Sequence, residues 1–93
     1  MAKRKVYGKV SHQGGLRMNE ITVTAFNKGV NQTVKLGEAK TNSVGHYMIN
    51  YEAEGYINLL VVAGDASHPI ASGNKPCVGS NEEINLIVKP AQT

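Results

Sequence analysis

The stretch Ala39-Lys-Thr-Asn-Ser-Val-Gly-His-Tyr-Met-Ile-Asn-Tyr51 decides the fold. Asn42 and Gly45 bracket a tight turn, because Asn bonds its own backbone and Gly takes positive φ without a Cβ clash. From His46 onward the residues alternate, placing Tyr47, Ile49 and Tyr51 on one side of an extended chain. Turn chemistry followed by a period of two is the signature of a β-strand leaving a corner.

The same pattern spreads in both directions. Lys5 to Val10 alternates apolar and polar residues, and Gln13-Gly14-Gly15 supplies a turn. Ile21-Thr-Val-Thr-Ala-Phe26 is the clearest strand, β-branched on both faces. After the loop-like Asn27–Gln32, extended structure resumes over residues 33–41, with Gly37 marking a bulge or bend. Ile57 to Ala63 is a compact apolar run between Gly55 and Gly64, too short for a helix and expected to be a strand buried on both faces. A helix competes only over Tyr51–Tyr56, where Gly55 argues against it. Residues 64–69 read as a turn, Ile70–Ser72 as a short strand and Pro76–Asn81 as loop. Glu83 to Lys89 is the last strand, stopped by Pro90. Seven extended segments at this spacing predict an all-β sandwich.

Alternation also predicts the faces. Val6, Gly8 and Val10 share one side, as do Ile21, Val23 and Ala25. Tyr47, Ile49 and Tyr51 form a third set, Leu59, Val61 and Ala63 a fourth, and Ile84, Leu86 and Val88 a fifth. These sets are expected to interdigitate between two sheets about 10 Å apart.

Ninety-three residues with 41% apolar content fit one domain. Its expected organisation is a basic arm over residues 1–4, a sandwich over 5–89 and a tail over 90–93. The net charge of +3 is accounted for by Lys3, Arg4 and Lys5. The remaining basic and acidic residues balance, so no basic stripe for nucleic acid is expected. The single cysteine, Cys77, excludes an intramolecular disulfide. The positive start lacks the apolar core of a signal peptide, and no apolar run reaches the length of a membrane span. The expected location is the cytoplasm, or export by a route without a cleavable signal; for a domain cut from a longer chain the location stays open.

With these residues on the page, V-Y-G-K-V, I-T-V-T-A-F, Leu36 to Tyr51, I-N-L-L-V-V-A-G-D and E-I-N-L-I-V together resemble the transthyretin-like, carboxypeptidase-regulatory-like domain family. Ala39 to Ile49 matches its A-x-T-(D/N)-x-x-G-x-Y-x-I signature, and the resemblance runs from Lys5 to Lys89. It implies a seven-stranded Greek-key sandwich in which Tyr47 anchors the hairpin between the sheets. L-G-E-A before the turn and I-N-L-x-V after it resemble versions from bacterial toxin complexes and secretion spikes, where such domains are adaptors. One departure is the Gly15–Glu20 stretch, which lacks the family's usual Pro and implies a longer or less rigid first hairpin.

The chemistry-bearing residues do not assemble a catalytic set. His12, His46 and His68 fall in or beside three separate turns, with no short-spaced pair of the kind zinc sites use. Asp65 alone cannot supply the six to eight oxygens calcium takes and reads as a turn cap. Cys77 next to Lys75 and Pro76 lacks a base in its signature. Glu52 with Glu54, and Glu82 with Glu83, flank turns and read as charges that discourage edge pairing. The family's hydrolase branch, the hydroxyisourate hydrolases, needs a His/Arg set and a closing Tyr-Arg-Gly-Ser. This chain ends Lys89-Pro-Ala-Gln-Thr93 and has only Arg4 and Arg17, so the expectation is no enzyme, no cofactor and no metal.

What stands out is a second apolar row opposite the core, comprising Tyr7, Met48, Leu60, Val62 and Ile87. One face of each sheet in a two-layer sandwich meets water, so this row is a surplus. Either part of it belongs to a covered central strand, or the face assignment slips by one residue, or it docks a protein partner. Edge-strand addition is a further docking mode, against which Lys5 and Lys9 read as edge protection. The function expected is a protein–protein adaptor; the alternative is an accessory domain binding peptide or carbohydrate in a peptidase-associated or cell-surface protein.

Overall fold

The computed structural model describes residues 2–12, 20–29, 31–65 and 68–88. The described residues form two four-stranded sheets packed face to face, with no helix. In chain order the strands are β1 (Ala2–His12), β2 (Thr22–Lys28), β3 (Thr33–Lys40), β4 (His46–Ala53), β5 (Ile57–Asp65), β6 (His68–Val78), β7 (Glu82–Glu83) and β8 (Leu86–Val88). One sheet runs β4-β1-β7, with β8 also on β1; the other runs β3-β2-β5-β6. Neighbours are antiparallel except β1 with β7 and β8, which are parallel. The all-β sandwich expected from the sequence is the architecture observed.

Face parity is as the alternation requires. Val6, Val10, Val23, Ala25, Tyr47, Ile49, Tyr51, Leu59, Val61, Ala63, Ile84, Leu86 and Val88 all lie in one buried core. Ile21 is half-buried against it. Gly37 sits at the foreseen bulge: Ala25 faces Gly37, Phe26 faces Lys35, and Leu36 is the extra residue.

The corner before β4 shows why Asn42 and Gly45 stand where they do. The Asn42 Oδ1 accepts the backbone N–H groups of Val44 and His46, both at 3.0 Å. The Gly45 N–H donates to the Asn42 carbonyl at 2.9 Å, with Gly45 at φ 81°. Across the corner, the Thr41 Oγ1 accepts the Ile21 N–H at 2.9 Å.

Three expectations need correction. Residues 2–4 are not a solvated arm: β1 begins at Ala2, and Arg4 is buried opposite Tyr51 of β4. The sixth strand is not confined to Ile70–Ser72 but spans His68–Val78, including residues read as turn or loop. It is an edge strand, where Pro69 and Pro76 need no second ladder partner, and two register shifts, one near Cys77 (φ 58°) and one at Ile70, each absorb one extra residue. The last strand is split in two. Between its halves, Ile84 donates its N–H to the Tyr7 carbonyl, and side-chain oxygens replace backbone ones: Asn81 accepts from Lys5 N–H and Asn85 from Lys9 N–H. The Gly15–Glu20 departure lies almost wholly outside the described residues.

Candidate functional site

The outer face of the β4-β1-β7/β8 sheet is built from the odd residues of β1. Val6, Gly8 and Val10 turn inward, so Lys3, Lys5, Tyr7 and Lys9 turn to solvent. Tyr7 faces Met48 across the β1–β4 ladder. Val10 N–H donates to Gly45 O, which makes the even residues of β1 the hydrogen-bonded positions. Tyr7 and Met48 therefore occupy a non-hydrogen-bonded pair, where side chains approach most closely. Tyr7 is 39% exposed, Met48 52% and Ile87 59%. Ile87 lies on the same side opposite Ser11, roughly 13 Å further along β1 at strand rise. Beside Tyr7 and Met48 lies a shallow depression of about 520 Å³ lined also by Lys9, Lys40, His46 and Glu83.

The other two members of the expected apolar row lie elsewhere. Leu60 and Val62 belong to β5, on the outer face of the opposite sheet. Val62 is only 6% exposed, flanked by Thr24 of β2 and Ser72 of β6, and so is closed to a docking partner. Leu60 is half-buried between Phe26 and Asn74. The five residues thus do not make one surface: β5 is a central strand whose outer side chains are covered by neighbours, while Tyr7, Met48 and Ile87 stand open.

Lys5 and Lys9 also play a different part from that read in the sequence. They protect no edge, because β1 is the middle strand of its sheet. Together with Lys3 they form a basic stripe along the open face of β1. Lys3, Lys5, Lys9 and Lys40 make no ion pair among the described residues, whereas Lys35 pairs with Glu38 at 2.9 Å and Lys75 with Glu82 at 3.2 Å. The sequence did not connect Lys40, His46 and Glu83 with Tyr7, because they join it only through cross-strand register and the corner at Asn42.

Beneath the face, Tyr47 donates its hydroxyl to the Ile84 carbonyl inside the core. Burial, reinforced by the Glu83 carboxylate, pushes its ionisation well above the ordinary tyrosine value. Burial likewise raises Tyr51; the Arg4 guanidinium lowers it in part and Glu82 adds to the rise. The Arg4 Nη1 and Tyr51 Oη are both shut away from water without a hydrogen-bond partner of good geometry.

The other chemistry-bearing residues remain scattered. Cys77 is exposed in a depression of about 180 Å³, and no His, Asp or Glu is among the described residues lining it. Glu82 accepts from Lys75, and Glu82 and Glu83 lie on β7, which pairs in parallel with β1 and ends its sheet. Among the described residues no three His, Cys, Asp or Glu side chains gather in one place. No helix among them is long and apolar enough to cross a membrane.

Comparison with known proteins leaves the family open. No protein-family model matches the chain, and no curated protein matches it in sequence. Solved structures share its fold. A 5-hydroxyisourate hydrolase from Klebsiella pneumoniae superposes with a TM-score of 0.66 at 12% identity, covering 96% of this chain and 92% of that one. A 9R-lipoxygenase from Cyanothece gives 0.65 at 14% identity, and a DUF3823 family protein from Parabacteroides merdae gives 0.63 at 17%. This chain is all-β in the manner of these domains. It spans 16% of the lipoxygenase and 46% of the DUF3823 protein. At such identities the likeness is one of fold.

Proposed function

We propose that this chain is a non-catalytic protein–protein interaction module of transthyretin-like type, docking its partner through the outer face of the β4-β1-β7/β8 sheet. The observation that carries the reading is the cross-strand pair Tyr7–Met48. Two large apolar side chains stand in register on a solvent-facing sheet, beside a depression sized for a partner's side chains. An outer sheet face meeting only water is polar, and this one carries an apolar pair in register among its polar residues. The transthyretin-like assignment is supported by the Asn42–Gly45 corner and the buried Tyr47. An adaptor role in a bacterial secretion or toxin assembly is supported by the resemblance of Leu36–Ala39 and Ile57–Val61 to domains of such assemblies.

Co-purification from the native host tests the docking reading. The double substitution Tyr7→Ser and Met48→Ser is expected to abolish a stoichiometric partner while the thermal midpoint stays within a few degrees. Leu60→Ser, on the opposite sheet, is expected to leave the partner bound. Retention by the first variant together with loss by the second would move the surface to the other face.

A further inference from the structure

Resting on that reading of the open face, we propose that the partner segment is extended and acidic, with the pattern acid–x–apolar–x–acid. Lys5, Tyr7 and Lys9 leave β1 on one side at alternate positions, roughly 6.6 Å apart. An extended segment laid along β1 presents its own alternate side chains at the same interval. Its central apolar residue then sits on Tyr7 and Met48, and its flanking carboxylates meet Lys5 and Lys9.

Charge supports this occupant. Lys3, Lys5 and Lys9 of β1 share the face of the apolar pair, and Lys40 of β3 lines the depression beside it, against two glutamates on that face, Glu52 opposite Lys3 and Glu83 beside Tyr7. None of the four lysines is in an ion pair among the described residues, whereas Lys35 and Lys75 are. Glu83 stands beside Tyr7 in the parallel register. It repels an acid at the central position and so selects the apolar residue there. The same glutamate, with Tyr7 as the face's lone aromatic, disfavours single-stranded nucleic acid, whose stacked bases would carry phosphates past it.

Edge addition is obstructed at two positions of β4: His46 bonds Asn42 through both its N–H and its carbonyl. A Cβ on Gly37 of β3 would lie 3.2 Å from the Asn50 carbonyl oxygen, so β3 closes over that edge.

Fluorescence anisotropy with labelled synthetic peptides tests the proposal. The probe carries Asp, Leu and Asp at alternate positions; the controls carry Asn, Leu, Asn, or Asp, Ser, Asp, and a third probe is oligothymidylate. The first peptide is expected to bind roughly fivefold or more tightly than either control, the loss expected for two exposed ion pairs or one buried apolar contact. Its binding should weaken toward that of the neutral peptide at about 1 M salt, where screening sets in within about 3 Å. Lys5→Glu with Lys9→Glu should reverse the preference toward a Lys, Leu, Lys peptide, and the milder Lys5→Gln with Lys9→Gln should erase it. Equal binding of charged and neutral peptides, indifference to the lysine substitutions, or tighter binding of oligothymidylate would overturn the proposal. If none of the peptides binds while Tyr7→Ser with Met48→Ser still abolishes the native partner, the docking face stands and the acidic pattern is wrong.

Discussion

Gly8 and Ile84 approach so closely that a Cβ on Gly8 would stand 2.0 Å from the Ile84 carbonyl oxygen. The same carbonyl accepts the Tyr47 hydroxyl, so β1, β4 and the break between β7 and β8 meet at one point. A side chain at residue 8 must push the final strand off β1. Gly8→Ala is therefore expected to cost about 3 kcal/mol, the upper range for overpacking a tight core. A urea midpoint unchanged from wild type would show that the junction is loose.

Tyr47 offers a gentler probe of that junction. Tyr47→Phe removes one buried hydrogen bond and is expected to cost about 1 kcal/mol, with the denaturant slope unchanged. Folding also raises the ionisation of Tyr47 and Tyr51 above the ordinary 10.0. The unfolded chain therefore loses its phenolic protons first. The stability held by the neutral phenols is complete below that value and declines as pH rises through and above it. Tyr47→Phe should flatten the alkaline decline measured by urea unfolding at stepped pH. An identical slope in both proteins would contradict the burial argument.

Asn42 tests the corner. Its side-chain oxygen serves two backbone N–H groups, so Asn42→Ala is expected to cost about 1–2 kcal/mol. Asn42→Asp keeps the acceptor and should recover most of the loss in the same thermal unfolding assay.

Val62 and Met48 distinguish the two outer faces. Val62→Ala should cost about 2 kcal/mol, since the side chain is almost fully buried under its neighbours. Met48→Ala should change stability by no more than about 0.5 kcal/mol. A reversed order would mean that the covered and open sheets have been exchanged.

Much of this was legible in the sequence. Period-two alternation placed Val6, Ile49, Leu59 and Leu86 on the inner face, and the turn chemistry of Asn42 and Gly45 was local enough to read directly. What escaped was non-local. Pro69 read as turn and Pro76 as loop because composition does not say that β6 has a neighbour on one side only. Val62 read like Met48 because burial on an outer face depends on which strand is central. The stripe of Lys3, Lys5 and Lys9 escaped because Lys3 read as part of a solvated arm and Lys5 and Lys9 as edge protection, whereas β1 begins at Ala2 and is the middle strand of its sheet.

Site-specific photo-crosslinking in the native host tests docking through the Tyr7–Met48 face. A benzophenone side chain replacing Met48 is compared with one replacing Asn74, which is exposed on the opposite sheet. A discrete adduct of one mass is expected from residue 48 and none from residue 74. Adducts from residue 74 alone, or none from residue 48 in cells where the partner co-purifies, would contradict it.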